Sequence, residues 1–295
     1  MGFFRKIFQS SDSPPPDRAT TAPLTPELLP DYLPGEGRRH IQIGVAHVHP
    51  EGSAPPRTDA HLVMLGGYDG NDALPDFGVL ALASGLTSYP LAAQAGTAAV
   101  RTAVRSITKA TYLQALELEP IDDLPSLHVA MGNCFEEANW SVKAEADGGA
   151  ACLTVLLVLG KQLVVGHLGN NRAYLWRQGQ LKRITEDHPV AGGGGKNDTP
   201  VGTVYGEEHQ RQSDTSMLGL TAELQVDITS HEIAPGDALL LCSPGIWKSL
   251  PDETIAGAYQ RYEDANRCAL ALVRAGQDVG GEIELTAIAA AIPSL

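Results

Sequence analysis

The stretch ACLTVLLVLGKQLVVGHLGNNRAYLWRQGQLKRI, residues 151–184, contains three strand-like runs that follow one another closely. The runs are rich in Val and Leu, and turn residues separate them at hairpin spacing. Helical patterns cover about residues 90–119 and 124–145 before this meander, and about 252–260 and 263–275 after it. Strands in meandering blocks, with helices in separate blocks, are typical of an α+β layered sandwich and not of a doubly wound parallel sheet.

The remaining predicted strands flank these blocks. Short apolar runs with strand-like alternation occur at about residues 40–49, 59–70, 76–84, 224–233, 237–242 and 284–292. With them, the chain from residue 39 to residue 295 is predicted to form a single domain.

The bulk composition restricts the classes of function. The chain has 295 residues, of which 43% are hydrophobic, enough for a sizeable core. It carries 21 Lys and Arg against 35 Asp and Glu, a net charge of −14, which argues against nucleic acid as a partner. The four cysteines lie far apart without CxxC spacing, which indicates reduced core thiols in a cytoplasmic protein. No apolar run approaches the roughly 18 residues of a membrane span.

Residues 1–38 form a separate zone rich in Pro, Ser and Thr, and we predict that this leader is disordered. Its first eight residues, MGFFRKIF, combine four large apolar side chains with Arg5 and Lys6. Two interpretations stay open: a weak peripheral contact with a membrane, or docking on the protein's own surface or a partner's. Myristoylation is disfavoured because Lys6 stands where the motif requires Ser or Thr.

Two motifs have the outline of a catalytic site but lack its essential residues. GGGGK at 192–196 is not a phosphate-binding P-loop, because Val190 and Asn197 stand where that motif requires Gly and Ser or Thr. A surface loop is predicted there. Ser243 follows a strand, but CSPGI lacks the glycine pattern of a nucleophile elbow.

Two groups of side chains could in principle hold a metal ion. His47 and His49 share one face of a predicted strand, but no third ligand is indicated, so we expect a solvent-facing pair. Asp69, Asp72 and Asp76 lack the spacing and the terminal Glu of a calcium-binding hand loop, and a solvated hairpin is predicted there.

Five segments of the chain carry motifs that occur together in one order. They are RTDAHLVM (57–64), FGVLALASGLTSYPLAAQAG (77–96), GHLGNNRAYLWRQGQLKRITEDHPV (166–190), IAPGDALLLCSPGIWKSLPDETI (233–255) and GGEIELTAIAAAI (280–292). This ordered set resembles the metal-dependent PPM-type serine/threonine protein phosphatases, especially the bacterial form. The strongest similarity is to that family's G-D-S-R-A-Y-L strand pair followed by L-T-x-D-H-S. The resemblance implies a four-layer sandwich of two antiparallel sheets flanked by helices.

The resemblance also implies a two-metal centre of Mn²⁺ or Mg²⁺ whose bridging water attacks phosphorus. At the positions of the family's ligands, this chain has Thr58 for Glu and Ser84, Pro244 and Ile283 for Asp. Asn170 replaces the Asp that is associated with a further metal position in bacterial members. Pro and Ile side chains cannot coordinate a metal, and replacing clustered carboxylates removes their mutual repulsion.

Only a few candidate ligands are left near these positions. Asp59 is the one acid of the family's set that is kept, and Glu284 stands where the family has Asn. Glu282 and Glu284 would share one face of a strand and form a new acidic pair. The phosphate-binding Arg of the family corresponds to Ala54, and nearby Arg57 is the candidate to replace it.

The sequence therefore predicts a pseudophosphatase, with no catalytic residues and no cofactor, that binds a phosphoprotein or a serine/threonine kinase. The alternative is an active Mn²⁺- or Mg²⁺-dependent phosphatase with a relocated or single-metal site at Asp59, Asp69, Asp76, Glu282 or Glu284. A third hypothesis, compatible with the first, is an assembly role in which residues 1–38 tether the domain.

Overall fold

The computed structural model describes residues 40–49, 57–66, 76–117, 126–189, 217–221, 223–262, 264–280 and 283–292. The predicted leader, the Gly-rich loop, Ala54, Asp69, Asp72 and Glu282 lie outside these ranges.

Ten strands form two antiparallel sheets of five strands each. In sheet order, the first sheet contains β1 (Gln42–Val48), β10 (Leu285–Ala291), β9 (Ala238–Cys242), β6 (Arg172–Arg177) and β7 (Gln180–Arg183). The second sheet contains β2 (Asp59–Gly66), β3 (Phe77–Gly85), β4 (Ala151–Leu159), β5 (Gln162–Leu168) and β8 (Asp227–Glu232).

Helices cover the outer face of each sheet. The described helices are α1 (Ala92–Ala110), α2 (Tyr112–Glu117), α3 (Leu127–Glu145), α4 (Pro244–Ser249), α5 (Asp252–Arg261) and α6 (Ala265–Asp278). Side chains of α1 and α3 pack against the second sheet, and side chains of α4, α5 and α6 pack against the first. This is the four-layer arrangement that the resemblance implied, and it confirms the predicted fold.

The central strands explain why their sequences are continuously apolar. Every residue of β3 is buried. Val79 and Ala81 face the helices, whereas Leu80 and Leu82 face the first sheet, so the strand needs apolar side chains on both sides. The four cysteines are buried and free, in agreement with the predicted core thiols. None of the described helices is long and apolar enough to cross a membrane.

Two elements differ from the sequence-based prediction. The single helix expected over 90–119 breaks at Thr111, whose hydroxyl donates to the carbonyl oxygen of Ile107 at 2.6 Å and whose backbone leaves the helical region. The last run of the meander is a hairpin, because Gln178 (φ 51°) and Gly179 (φ 78°) form the left-handed turn that joins β6 to β7.

Candidate functional site

The positions of the expected metal ligands meet where the two sheets approach each other. Asp59 opens β2 and pairs with Ser84, which lies near the end of β3. His47, near the end of β1, pairs with Thr286 in β10 of the other sheet. Antiparallel pairing therefore brings these side chains from both sheets into one cluster.

The carboxylate of Asp59 is held by two hydroxyl groups. Ser84 Oγ lies 2.6 Å from Asp59 Oδ1, and Thr286 Oγ1 donates to Asp59 Oδ2 at 2.8 Å. Burial raises the pKa of Asp59 to about 6, and the charge of Glu284 acts in the same direction. The hydrogen bonds from Ser84 and Thr286 oppose this rise but do not cancel it.

The hydroxyl of Ser84 joins Asp59 to a buried amide. Its oxygen also lies 2.9 Å from Asn171 Oδ1, while Asn171 Nδ2 donates to the carbonyl oxygen of Leu82 at 3.2 Å. One hydroxyl proton cannot fully serve two acceptors. When Asp59 is protonated, it can donate to Ser84, and Ser84 can then donate to Asn171.

Glu284 connects the two sheets through its carboxylate. Its Oε2 accepts from the backbone amides of Thr58 at 2.8 Å and Asp59 at 2.9 Å, and from Thr58 Oγ1 at 3.2 Å. Its Oε1 lies 3.0 Å from His47 Nε2. Burial alone would favour the neutral acid, but the hydrogen bonds from His47 and from these amides lower the pKa of Glu284 below its ordinary value.

The expectation of a solvent-facing histidine pair is wrong. The side chains of His47 and His49 are only 15% and 23% exposed, and both point towards Glu284 Oε1, with His49 Nδ1 at 4.0 Å. His47 Nδ1 also lies 2.8 Å from Thr286 Oγ1, so His47 bridges Glu284 and the hydroxyl that binds Asp59. The ring of His61 lies 5.9 Å from that of His47, and burial together with the charge of His47 lowers the pKa of His61.

Pro244, at a position where the resemblance implied a metal ligand, has a structural role. Pro244 is the first residue of α4, where its fixed φ suits a helix start. The next residue, Gly245, lies so close to the Glu284 carbonyl that no side chain would fit there. Ser243 is buried and exchanges hydrogen bonds with the backbone of Glu284 and Thr286, which explains its position without a nucleophilic role.

The other predicted positions do not join the cluster as ligands. Ile283 is 45% exposed, and Asn170 uses its carbonyl oxygen to accept from Trp247 Nε1 at 3.0 Å. Arg57 is exposed and directly precedes Thr58. Asp76 lies elsewhere, in contact with His40 at 3.1 Å. Glu284 precedes β10 instead of lying within a strand.

The residues present do not fit a pair of Mn²⁺ or Mg²⁺ ions. Such hard cations need several oxygen ligands each, chiefly carboxylates. The side chains at Ser84, Pro244 and Ile283 supply no carboxylate, and both oxygens of Asp59 are engaged by hydroxyls. Within the described ranges, no group of three or more His, Cys, Asp or Glu side chains is arranged to hold a metal ion.

Several members of the cluster were not found from the sequence. Thr286, Asn171, His61 and the bridging role of His47 became visible only in the folded chain. A signal existed for two of them, since Asn171 directly follows Asn170 and Thr286 lies two positions after Glu284.

Comparisons with known proteins agree with this architecture. A scan against models of protein families finds no match for the chain. The serine/threonine protein phosphatase PstP of Mycobacterium tuberculosis is 31% identical over 165 residues, which is 55% of this chain and 31% of PstP. The chain thus matches less than a third of that relative's length.

Solved structures of such phosphatases share the fold over most of the chain. The catalytic domain of PstP, in complex with two manganese ions, aligns with a TM-score of 0.58 and 23% identity, covering 85% of this chain and 97% of that domain. The PPM Ser-Thr phosphatase MsPP of Mycobacterium smegmatis aligns with a TM-score of 0.56 and 21% identity over 85% and 98% of the two chains. The fold is that of the PPM-type phosphatases, and the sequence similarity supports a relationship to that family.

Proposed function

We propose that this protein is a PPM-type phosphatase-like module that has lost metal-dependent catalysis and regulates phosphoproteins or serine/threonine kinases by binding them. One observation carries the proposal: both carboxylate oxygens of Asp59, the only acid retained from the expected ligand set, are bound by the protein's own hydroxyls at 2.6 and 2.8 Å. To coordinate a hard cation, a carboxylate held in this way would have to compete with its own hydroxyl donors.

The second acid of the cluster supports the same proposal. Glu284 Oε2 accepts from two backbone amides, which hold this oxygen within the protein. His47 Nε2 lies 3.0 Å from the other oxygen of this carboxylate, Glu284 Oε1. Both acids of the cluster therefore have protein donors without a metal.

A phosphate group could still be recognised at this end of the molecule. Arg57 is exposed and adjoins Thr58, whose backbone is bound into the cluster. A guanidinium can form bidentate hydrogen bonds to a phosphate, and this contact needs no metal.

The test is hydrolysis of a phosphothreonine peptide by the full-length protein in millimolar Mn²⁺, with a chelator and with the Asp59→Asn variant as controls. The PstP catalytic domain serves as the positive control. We expect no chelator-sensitive turnover. Chelator-sensitive turnover that Asp59→Asn removes would overturn the proposal and favour the active alternative that the names of the relatives suggest.

A further inference from the structure

A cavity of about 410 Å³ lies between the edge strands of the two sheets. The first sheet ends at β7 and the second at β8. The cavity is lined by Leu175, Arg177, Gln180, Lys182, His231 and Glu232, together with Gln178 of the β6–β7 turn. It shares no residue with the Asp59 cluster.

Strand register explains why polar side chains converge here. Leu175 pairs with Lys182 and Arg177 pairs with Gln180, so these four side chains lie on one face of the hairpin. Leu175 belongs to the apolar layer between the sheets, which identifies that face as the inner one. From the second sheet, His231 pairs with Leu163, another member of this layer. The cavity thus begins where the apolar layer ends.

The charged side chains that line the cavity are Arg177, Lys182 and Glu232. Arg177 is fixed by Asp237, with contacts at 2.6 and 2.9 Å, and donates to the carbonyl oxygen of Glu232 at 2.8 Å. No ion pair within the described part of the chain involves Lys182.

The neighbouring histidine responds to this charge. Burial lowers the pKa of His231, and the positive charges of Lys182 and Arg177 lower it further. The charged groups around His231 are therefore Lys182, Arg177 with its bound partner Asp237, and, on its own strand, Glu232. His231 Nε2 lies 3.2 Å from Thr229 Oγ1, which leaves the other ring nitrogen for a ligand.

We propose that this cavity binds a phosphate monoester dianion through Lys182, His231 and the amides of Gln178 and Gln180. A dianion with three oxygens can use several cationic and amide donors at once, whereas a carboxylate offers only two oxygens. The cavity is larger than one phosphate group, so it has room for the group that carries the phosphate. The inference does not depend on the loss of catalysis.

Calorimetry with the full-length protein tests the proposal, using inorganic phosphate, free phosphothreonine and a phosphothreonine peptide as probes. We expect the Lys182→Gln and His231→Gln variants to weaken binding by at least about tenfold, since a charge-assisted hydrogen bond contributes about 1.5–3 kcal/mol. Lys109→Gln, at an exposed lysine of α1, is the matched control and is expected to leave binding unchanged.

A proton-linked readout separates a built site from general charge attraction. A bound dianion stabilises the imidazolium, so phosphate is expected to raise the pKa of His231 in an NMR titration. Tighter binding of the peptide than of inorganic phosphate would identify a phosphoprotein as the source, and equal binding a small phosphorylated molecule.

Three results would overturn the proposal. They are no binding of any probe at 10 mM, binding that Lys182→Gln and His231→Gln leave intact, and binding that Arg57→Gln abolishes instead. The last result would assign the phosphate to the Asp59 end of the molecule. Lys182 and His231 lie on edge strands, and Lys182 is exposed, so unfolding curves should confirm that both variants fold.

Discussion

Replacing Asp59 with Asn is expected to stabilise the protein at neutral pH. Asp59 ionises in a packed environment beside Glu284, and the cost of this ionisation appears as a pKa raised from 3.8 to about 6. Asn has nearly the same shape and keeps one oxygen to accept from Ser84 or Thr286, but it carries no charge. The substitution therefore removes the cost and keeps most of the packing.

The magnitude follows from proton linkage. The folded state holds the proton of Asp59 up to about pH 6, whereas the unfolded chain releases it near pH 3.8, so this residue lowers the stability progressively between these pH values. A difference of about 2.2 in pKa corresponds to about 3 kcal/mol. We expect Asp59→Asn to raise the free energy of unfolding at pH 7.5 by about 1–3 kcal/mol, since one hydroxyl loses its acceptor.

Urea unfolding at pH 4, 5, 6 and 7.5, in chelator and in 1 mM Mn²⁺, measures this effect. Asp278→Asn, at an exposed position at the end of α6, is the matched control and should change stability by less than about 0.5 kcal/mol. The gain of Asp59→Asn should shrink towards pH 4, where the folded carboxyl is protonated and the unfolded one begins to take up its proton.

A destabilised Asp59→Asn variant would refute this account. If Asp59 instead bound Mn²⁺, saturating the site at a hundred times its dissociation constant would stabilise the wild type by about 2.7 kcal/mol, and the variant would lose this gain. A manganese-dependent stabilisation that disappears in Asp59→Asn would therefore contradict both the pKa argument and the proposed loss of the metal centre.

Two further substitutions test the packing around the cluster and the sheets. Glu284→Ala should lower the free energy of unfolding by about 3 kcal/mol, because the amides of Thr58 and Asp59 lose their acceptor, while Glu284→Gln should lose much less; urea unfolding compares the two. Gly44→Ala should cost about 3 kcal/mol, because its added methyl group would overlap the backbone at the start of α6. Gly257→Ala is its control in α5: no atom lies near the added methyl group, so helix propensity should raise stability by about 0.5–1 kcal/mol, and a loss of stability there would contradict the packing argument.

The architecture was largely predictable because its signals are local. The hairpin spacing between residues 151 and 184 led to an antiparallel meander, and the apolar runs of β3 and β4 are buried on both faces, as such runs require. The break at Thr111 was missed because it depends on a side chain that binds its own helix backbone, which periodicity does not register.

The candidate site was predictable only by position. The replacements at Ser84 and Pro244 were readable from the order of motifs, but what the new side chains bind was not. His47 and His49 were expected to face solvent because no third ligand was indicated, and an alternating strand pattern does not tell which of its two faces another sheet covers.

The sequence by itself determined the layers, the buried cysteines and the positions at which expected carboxylates are replaced, since each of these depends on residue type and short-range spacing. Only the tertiary structure decided that Asp59 is held by Thr286, 227 residues away, and that Glu284 caps the amides of Thr58 and Asp59. The same holds for the cavity at Lys182 and His231, which strands of different sheets create. Such contacts depend on the pairing of distant strands. Burial at these contacts raises the pKa of Asp59, which the residue type alone does not determine.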